Sequence, residues 1–546
     1  MWQQVYDPLH SSALSALVAA VPIIFFLLGL TVLKLSGIKS AVISLVLALV
    51  IGWGIFGMPV TAGAGSIIYG FLSGLWPIGW IVLMAVWLYR ISVRSGGFEI
   101  VRSSISSIST DQRIQMLLIA FCFGGFLEGA AGFGIPIAIC AALLVSLGFN
   151  PLKAAMFALI ANVSSGAYGA IGIPVTTAAT RGNVDLHGLS TELVLVIQII
   201  AALIPVLLVA IQDGIRGIRE VGLVALIVGL VYSGGQAVLL AGLGNPELVD
   251  IIPPLLALVV LALIMQKWQP KNLFREPTAP SLEEVEAQQS VKYSGGEILK
   301  AWSPFVYLSV VILLWSTAFK PLFAKGGLLA FSNITFPVPW LHKSIQQVAP
   351  IVAHPKAIDV TYTWSIIGAS GTAILVAAII TILTSSISWG EAIEELGATW
   401  KQLKTPIIMI CLVMSVANVM NYAGMITSIA LAVAAVGAIF PLLSPIIGWI
   451  GVFVTGSVVN NNILFAGLQA TTAQQISVNP TLLVASNTAG GVMAKIVSPQ
   501  SIAIAAASVN SAGQESKITS MAIKYSAALL VVTCVWVYVL SLVMPS

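Results

Sequence analysis

Two charged residues stand in stretches where a hydrophobic chain should not tolerate them. Glu128 sits in the middle of FGGFLEGAAGFGIP (123–136), and Lys495 follows SNTAGGVMA (486–494). A charge at the centre of a bilayer costs about 2.5–3.5 kcal/mol on insertion scales, so each needs a partner or a task. A carboxylate taken out of water gains by accepting a proton, which makes Glu128 a candidate proton carrier. Lys495 lies among small neighbours (Ala489, Gly490, Gly491, Ala494) and offers a point charge to a substrate carboxylate. The same two residues could instead form a structural ion pair between distant parts of the chain. Neutral donors and acceptors share these stretches: Asn162 and Ser164 in one half, and Ser486, Asn487, Thr488, Ser498, Gln500 and Ser501 in the other. Together they suit a small oxygen-rich ligand. Singly, each could serve as a hydrogen bond between helices.

The segments that hold these residues read as broken helices. Gly129, Gly132, Gly134 and Pro136 mark one break, and Gly166 and Pro174 a second. Gly456, Ser457 and Asn462 mark a third, and Gly490, Gly491 and Pro499 a fourth. The order repeats between halves. Asn150-Pro151, then Asn162, then Pro174 is matched by Asn479-Pro480, then Asn487, then Pro499, with twelve residues from the second Asn to the last Pro each time. Matching interrupted segments in two halves point to a secondary transporter whose site lies near the midplane. A break frees backbone groups and can aim helix N-termini, which carry partial positive charge, at an anion. Irregular backbone at that depth survives only under protein or against a watery cavity.

Composition supplies the solvent. Of 546 residues, 58% are hydrophobic and only 8% charged, with a mean hydropathy of +1.02. Soluble domains carry about 25% charged residues. The reading is therefore an all-α polytopic membrane protein, with roughly twelve to fourteen transmembrane segments at about 20 apolar residues per crossing. The first apolar run, from about 13 to 33, is too long for a signal peptide and lacks a basic leader, so it reads as a retained span. The four cysteines (Cys122, Cys140, Cys411, Cys534) sit in apolar runs with no metal or disulfide spacing. No metal, cofactor or nucleic acid is expected.

Basic residues set the orientation. Lys34, Lys39, Arg90, Arg94, Arg102 and Arg113 place two loops in the cytoplasm and both termini outside. Residues 1–266 form an N-terminal transmembrane half and 300–546 a C-terminal half. A charged cytoplasmic linker, 267–299, with Glu283, Glu284 and Glu286, joins them. Residues 320–362 read as a long external segment. Spans are read at about 189–212, 221–243 and 250–266, with Arg216 and Arg219 marking one cytoplasmic turn.

Several segments resemble the L-lactate permease family: YGFLSGLWPIGWI (69–81), FCFGGFLEGAAGFG (121–134), GAIGIPV (169–175), AWSPF (301–305), SGTAIL (370–375), GWIGVFVTGS (448–457) and KIVSPQSIAIA (495–505). The landmarks keep the family's order over nearly the whole chain. The resemblance implies uptake of L-lactate, and often D-lactate or glycolate, with a proton across the bacterial plasma membrane. It also implies inverted repeats and elevator-type movement of a transport domain. In the related dicarboxylate–sodium symporters, Ser-Asn-Thr triplets hold substrate. Ser486-Asn487-Thr488 matches such a triplet, and Asn162-Val163-Ser164 keeps part of one. The family pattern has an Asp after Thr-Gly-Ser in the second half, where this chain has Val458. That leaves Glu128 as the one carboxylate placed within either pair of breaks.

The expectation is a proton-coupled symporter of lactate-like 2-hydroxymonocarboxylates. Lys495 and helix N-termini meet the carboxylate, Asn162 and Asn487 touch the ligand, and Glu128 carries the proton. The runner-up is a symporter for another small organic anion, sodium-coupled. A channel would conduct without accumulation. An intramembrane enzyme needs a nucleophile–base pair or metal cluster, and the four histidines (His10, His187, His342, His354) lie outside the apolar cores.

Overall fold

The computed structural model describes residues 1–544 except 133, 277, 278, 280–292 and 353. Glu283, Glu284 and Glu286 of the linker lie outside the described residues. Among the described residues, nine helices are long and apolar enough to cross a membrane, or ten if the bent pair Pro151–Ser164 and Gly169–Gly182 counts as one span. Shorter apolar helices, among them Ile135–Ser146, Ile252–Lys267 and Ser370–Thr384, complete the bundle. The long segment between 317 and 369 is not featureless. It holds an antiparallel pair, Asn333–Pro337 with Thr361–Ser365, and a small sheet that also takes in Trp2–Gln3 from the N-terminus.

Local sequence explains the ends and the breaks. Ser294 with Glu297 and Ser388 with Glu391 form capping boxes, each satisfying free N–H groups where a long helix begins. Gly132 and Gly134 take positive φ (61° and 82°) at the tip of the first hairpin, between Gly124–Ala130 and Ile135–Ser146. Gly456 (φ 67°) turns the second hairpin, between Phe440–Thr455 and Val458–Gln475. These breaks are tighter than the sequence reading had them. Gly129 lies inside the helix Gly124–Ala130, and Asn462 lies inside Val458–Gln475, because the reversal needs only two to four residues.

The two hairpins enter from opposite ends. At the mouth of the first, Arg113 is fully buried and pairs with Asp213 (2.8 Å) and Glu220 (2.9 Å), while Gln112 reaches Leu147 O (3.2 Å). Just beyond the mouth of the second, Asn479 donates to Glu192 (3.1 Å). Glu192 and Asp213 lie on one helical run and are 21 residues apart, about 32 Å at 1.5 Å per residue. That is close to the thickness of a bilayer's hydrocarbon core, about 30 Å. The two hairpins are thus inverted relative to each other.

Residues 243–251, between Val238–Gly242 and Ile252–Lys267, form a non-helical loop that is largely buried from Asn245 onward. Leu248, Val249, Asp250 and Ile251 are all at most 1% exposed. Pro246 O fits against Gly172, where a Cβ would come within 2.5 Å of it. Non-helical backbone at this depth is possible because protein covers it.

Candidate functional site

The tips of the two hairpins and the breaks of the two following segments meet around one cavity of about 70 Å³. Glu128 arrives on Gly124–Ala130, and Lys495 is the last residue of Pro480–Lys495. Their side chains join across the halves: Lys495 Nζ lies 2.6 Å from Glu128 Oε1, with the side chains 10% and 3% exposed. Asn162 Nδ2 donates to the other carboxylate oxygen at 2.9 Å. Two glycines make room for this contact. A Cβ on Gly169 would come within 2.4 Å of Glu128 Oε1, and one on Gly166 within 3.3 Å of Lys495 Cδ.

Helix N-termini surround the pair. Gly134 caps Ile135–Ser146, Ser457 caps Val458–Gln475, and Ser498 caps Pro499–Ser508. Gly134, Ser457, Val458, Gln500 and Ser501 all line the cavity, as do Gly169 and Pro174 at the start of Gly169–Gly182. Pro136 and Pro499 occupy first-turn positions, where a missing N–H costs nothing. Each N-terminus contributes about half a positive charge. With the Lys495 ammonium they make an anion-attracting centre occupied by Glu128.

The second break, between Gly166 and Pro174, is strained. Ala170 and Ile171 (φ 46° and 60°) sit with Gly172 in left-handed backbone. For a non-glycine residue this costs roughly 1–2 kcal/mol. The turn delivers Pro174 and the helix after it to the cavity, where Pro174 O accepts from Asn462 Nδ2 (3.0 Å).

Several predicted ligands lie elsewhere. Asn487 Nδ2 donates to Asn462 Oδ1 (2.9 Å), and Thr488 Oγ1 does the same (3.1 Å). Ser486 Oγ donates to Leu483 O and contacts Ser444, and Ser164 Oγ donates to Ala201 O (3.5 Å). All four are buried between helices and do not line the cavity. Ser498 supports the site from behind, since its hydroxyl accepts from Ser501 N (3.3 Å) and donates to Ser501 Oγ (2.8 Å). Gly490 and Gly491 are not break residues. Pro480–Lys495 runs through both, and a Cβ on Gly490 would come within 1.8 Å of Pro445 O. They permit close helix packing. The break itself falls at 496–498.

A second buried carboxylate lies behind the cavity, outside the breaks. Asp250, on the buried loop 243–251, accepts hydrogen bonds from Gln236 (2.7 Å) and Tyr232 (3.2 Å). In the sequence it follows Gly-Asn-Pro-Glu-Leu-Val and opens the apolar run read as the span 250–266. That run was its clue. No group of three or more His, Cys, Asp or Glu suited to a metal occurs among the described residues.

Inverted hairpins whose tips enclose a charged, partly polar cavity define a transporter. Residues 15–544 match the L-lactate permease family model, and the chain belongs to that family. It is 49% identical over 547 residues to an L-lactate permease of Halalkalibacterium halodurans, covering 99% of this chain and 100% of that one. It is 44% identical over 537 residues to a glycolate permease of Escherichia coli K12, covering 96% and 95% of the two chains. Among solved structures, Neisseria gonorrhoeae MtrF, described as one of a class of antimetabolite efflux pumps, is similar at 15% identity. Its TM-score is 0.45, with 87% of this chain and 83% of that one covered.

Proposed function

We propose that this protein imports L-lactate and related 2-hydroxymonocarboxylates, D-lactate and glycolate among them, together with a proton across the bacterial plasma membrane, with both termini outside. The observation that carries the reading is the Lys495–Glu128 pair at 2.6 Å, set among converging helix N-termini. Glu128 occupies the position a substrate carboxylate would take. An arriving lactate competes for the Lys495 ammonium and for the N-termini of Val458–Gln475 and Pro499–Ser508. A displaced Glu128 would be a buried charge without a partner, which is costly. It takes a proton instead, so binding of the anion and binding of the proton become one event. Asn162 steadies the carboxyl in both states, and Gln500 and Ser501 offer neutral partners to the hydroxyl. The cavity's small volume favours a ligand of few atoms over the drug-sized ligands of larger pockets. The hairpins and the helices between them move together past the outer helices, as an elevator.

Purified protein in liposomes should accumulate labelled L-lactate when an inward proton gradient is imposed. Accumulation that follows a sodium gradient instead removes proton coupling from the reading. Glu128→Gln should abolish accumulation while keeping part of lactate–lactate exchange. Normal accumulation in that variant removes Glu128 from the mechanism.

A further inference from the structure

One buried carboxylate takes no part in the ion pair. Asp250 is 1% exposed, and both of its hydrogen-bond donors, Gln236 Nε2 and Tyr232 Oη, serve the same oxygen, Oδ1. Oδ2 is buried with no hydrogen-bond partner among the described residues. Purely structural acceptance would need only Oδ1, which an Asn could supply. The charged and titratable groups facing Asp250 are Glu128 and Lys495 across the site, with Tyr232 and Tyr168 beside it, and Cys122 faces Tyr232. Lys495 already holds Glu128. Asp250 thus has neutral donors and no cation of its own, the setting of a carboxyl that carries its proton, with Oδ2 free to hold it.

Its place in the fold gives that proton a destination. Gly129, the residue after Glu128, lies directly against Asp250, where a Cβ would come within 2.4 Å of Asp250 O. On the other side, Glu247 of the same buried loop lines a second cavity of about 250 Å³, shared with Trp315 and Lys320 near the small sheets. The loop of Asp250 thus joins this second cavity, the outer one in the proposed orientation, to the backbone beside Glu128.

We propose that Asp250 is a proton relay that passes a proton from the outer cavity to Glu128 when substrate captures Lys495. The inference rests on the proton-coupled reading above. In the step, the O–H bond at Asp250 Oδ2 breaks and one forms on the Glu128 oxygen released by Lys495. Asp250 then regains a proton from the outer cavity, and no electrons change hands.

The test compares net uptake with exchange of labelled L-lactate in proteoliposomes. Asp250→Asn keeps the acceptor for Gln236 and Tyr232 but cannot carry a proton. Proton-driven net uptake should slow on the order of 10²-fold, the scale of losing a positioned proton-transfer group. Exchange, which needs no net proton movement, should fall far less. Asp250→Glu should recover much of the net rate, and Tyr232→Phe, which keeps the acid, should slow it only slightly. Net uptake at the normal rate in Asp250→Asn overturns the relay, and so does an equal loss of exchange and net uptake. A wild-type protein whose uptake ignores the proton gradient overturns the broader reading instead, so the two failures are distinguishable.

Discussion

The two halves share the twelve-residue spacing from Asn to Pro, yet they break in different places. In the first half the helix stops at Ala161, Asn162 is released from it, and the chain passes through left-handed residues 170–172. In the second half the helix continues for two more turns past Asn487 and stops at Lys495. Freed from its helix, Asn162 can reach Glu128, whereas Asn487 stays in a helix interface with Asn462 and Gln469. The longer helix carries Lys495 to the cavity. One repeated pattern thus supplies a polar hand from one half and a cation from the other. The asymmetry lets a near-symmetric fold hold a single charged pair at its centre.

Removing the cation should have the largest effect. Lys495→Ala should abolish uptake and destabilise the protein by about 3–5 kcal/mol, because Glu128 loses the partner that offsets the cost of its burial. The apolar double substitution Lys495→Met with Glu128→Leu should recover most of the melting temperature in detergent but no transport. Next comes the packing of the longer helix. Gly490→Ala should cost at least about 1–3 kcal/mol, since Pro445 backbone has to move, and should leave the KM of any folded protein near normal. Gly166→Ala meets Asn162 O at 3.0 Å and the Lys495 and Val492 side chains at 3.3 Å, a milder clash beside the ion pair, so it should alter KM more than stability.

The asparagines sharpen the same contrast. Asn162→Ala removes a hydrogen bond to a charged group, worth about 1.5–3 kcal/mol, and should shift the pH profile of uptake. Asn487→Ala should lower the melting temperature and leave that profile in place. The smallest effect is expected at the strained turn. Ala170→Gly relieves a left-handed alanine and should stabilise by about 1 kcal/mol, read as a higher melting temperature. An unchanged or lower value would mean that the lost methyl packing outweighs the strain.

Glu128 and Lys495 were legible because charge is rare in such a chain and rarely idle. Their 2.6 Å contact was not, since nothing local links residues 367 apart. The structure shows the ion pair between the two stretches, and both residues line the cavity. Gly490 and Gly491 misled because glycine serves two purposes in membranes, reversal and close packing, and the residue type does not say which. Gly132, Gly134 and Gly456 do reverse the chain, as positive φ shows. The Ser486-Asn487-Thr488 resemblance pointed to ligand contact, but a helix that keeps its turns keeps those side chains among its neighbours. Asp250 was missed for the opposite reason. Glycine, proline and acids in succession usually mean water, and here they mean a loop folded inward beneath Pro246 and Gly172.

The pair of opposite charges at the centre has an electrical consequence. Glu128 and Lys495 together sum to zero in the substrate-free site. With lactate on Lys495 and a proton on Glu128, the sum is again zero. Neither stroke of the proposed cycle then carries charge through the membrane potential, which would otherwise act with about 2.3 kcal/mol per charge per 100 mV. Such a carrier reads only the pH difference and the lactate gradient. A potassium–valinomycin potential of either sign should leave its uptake rate unchanged.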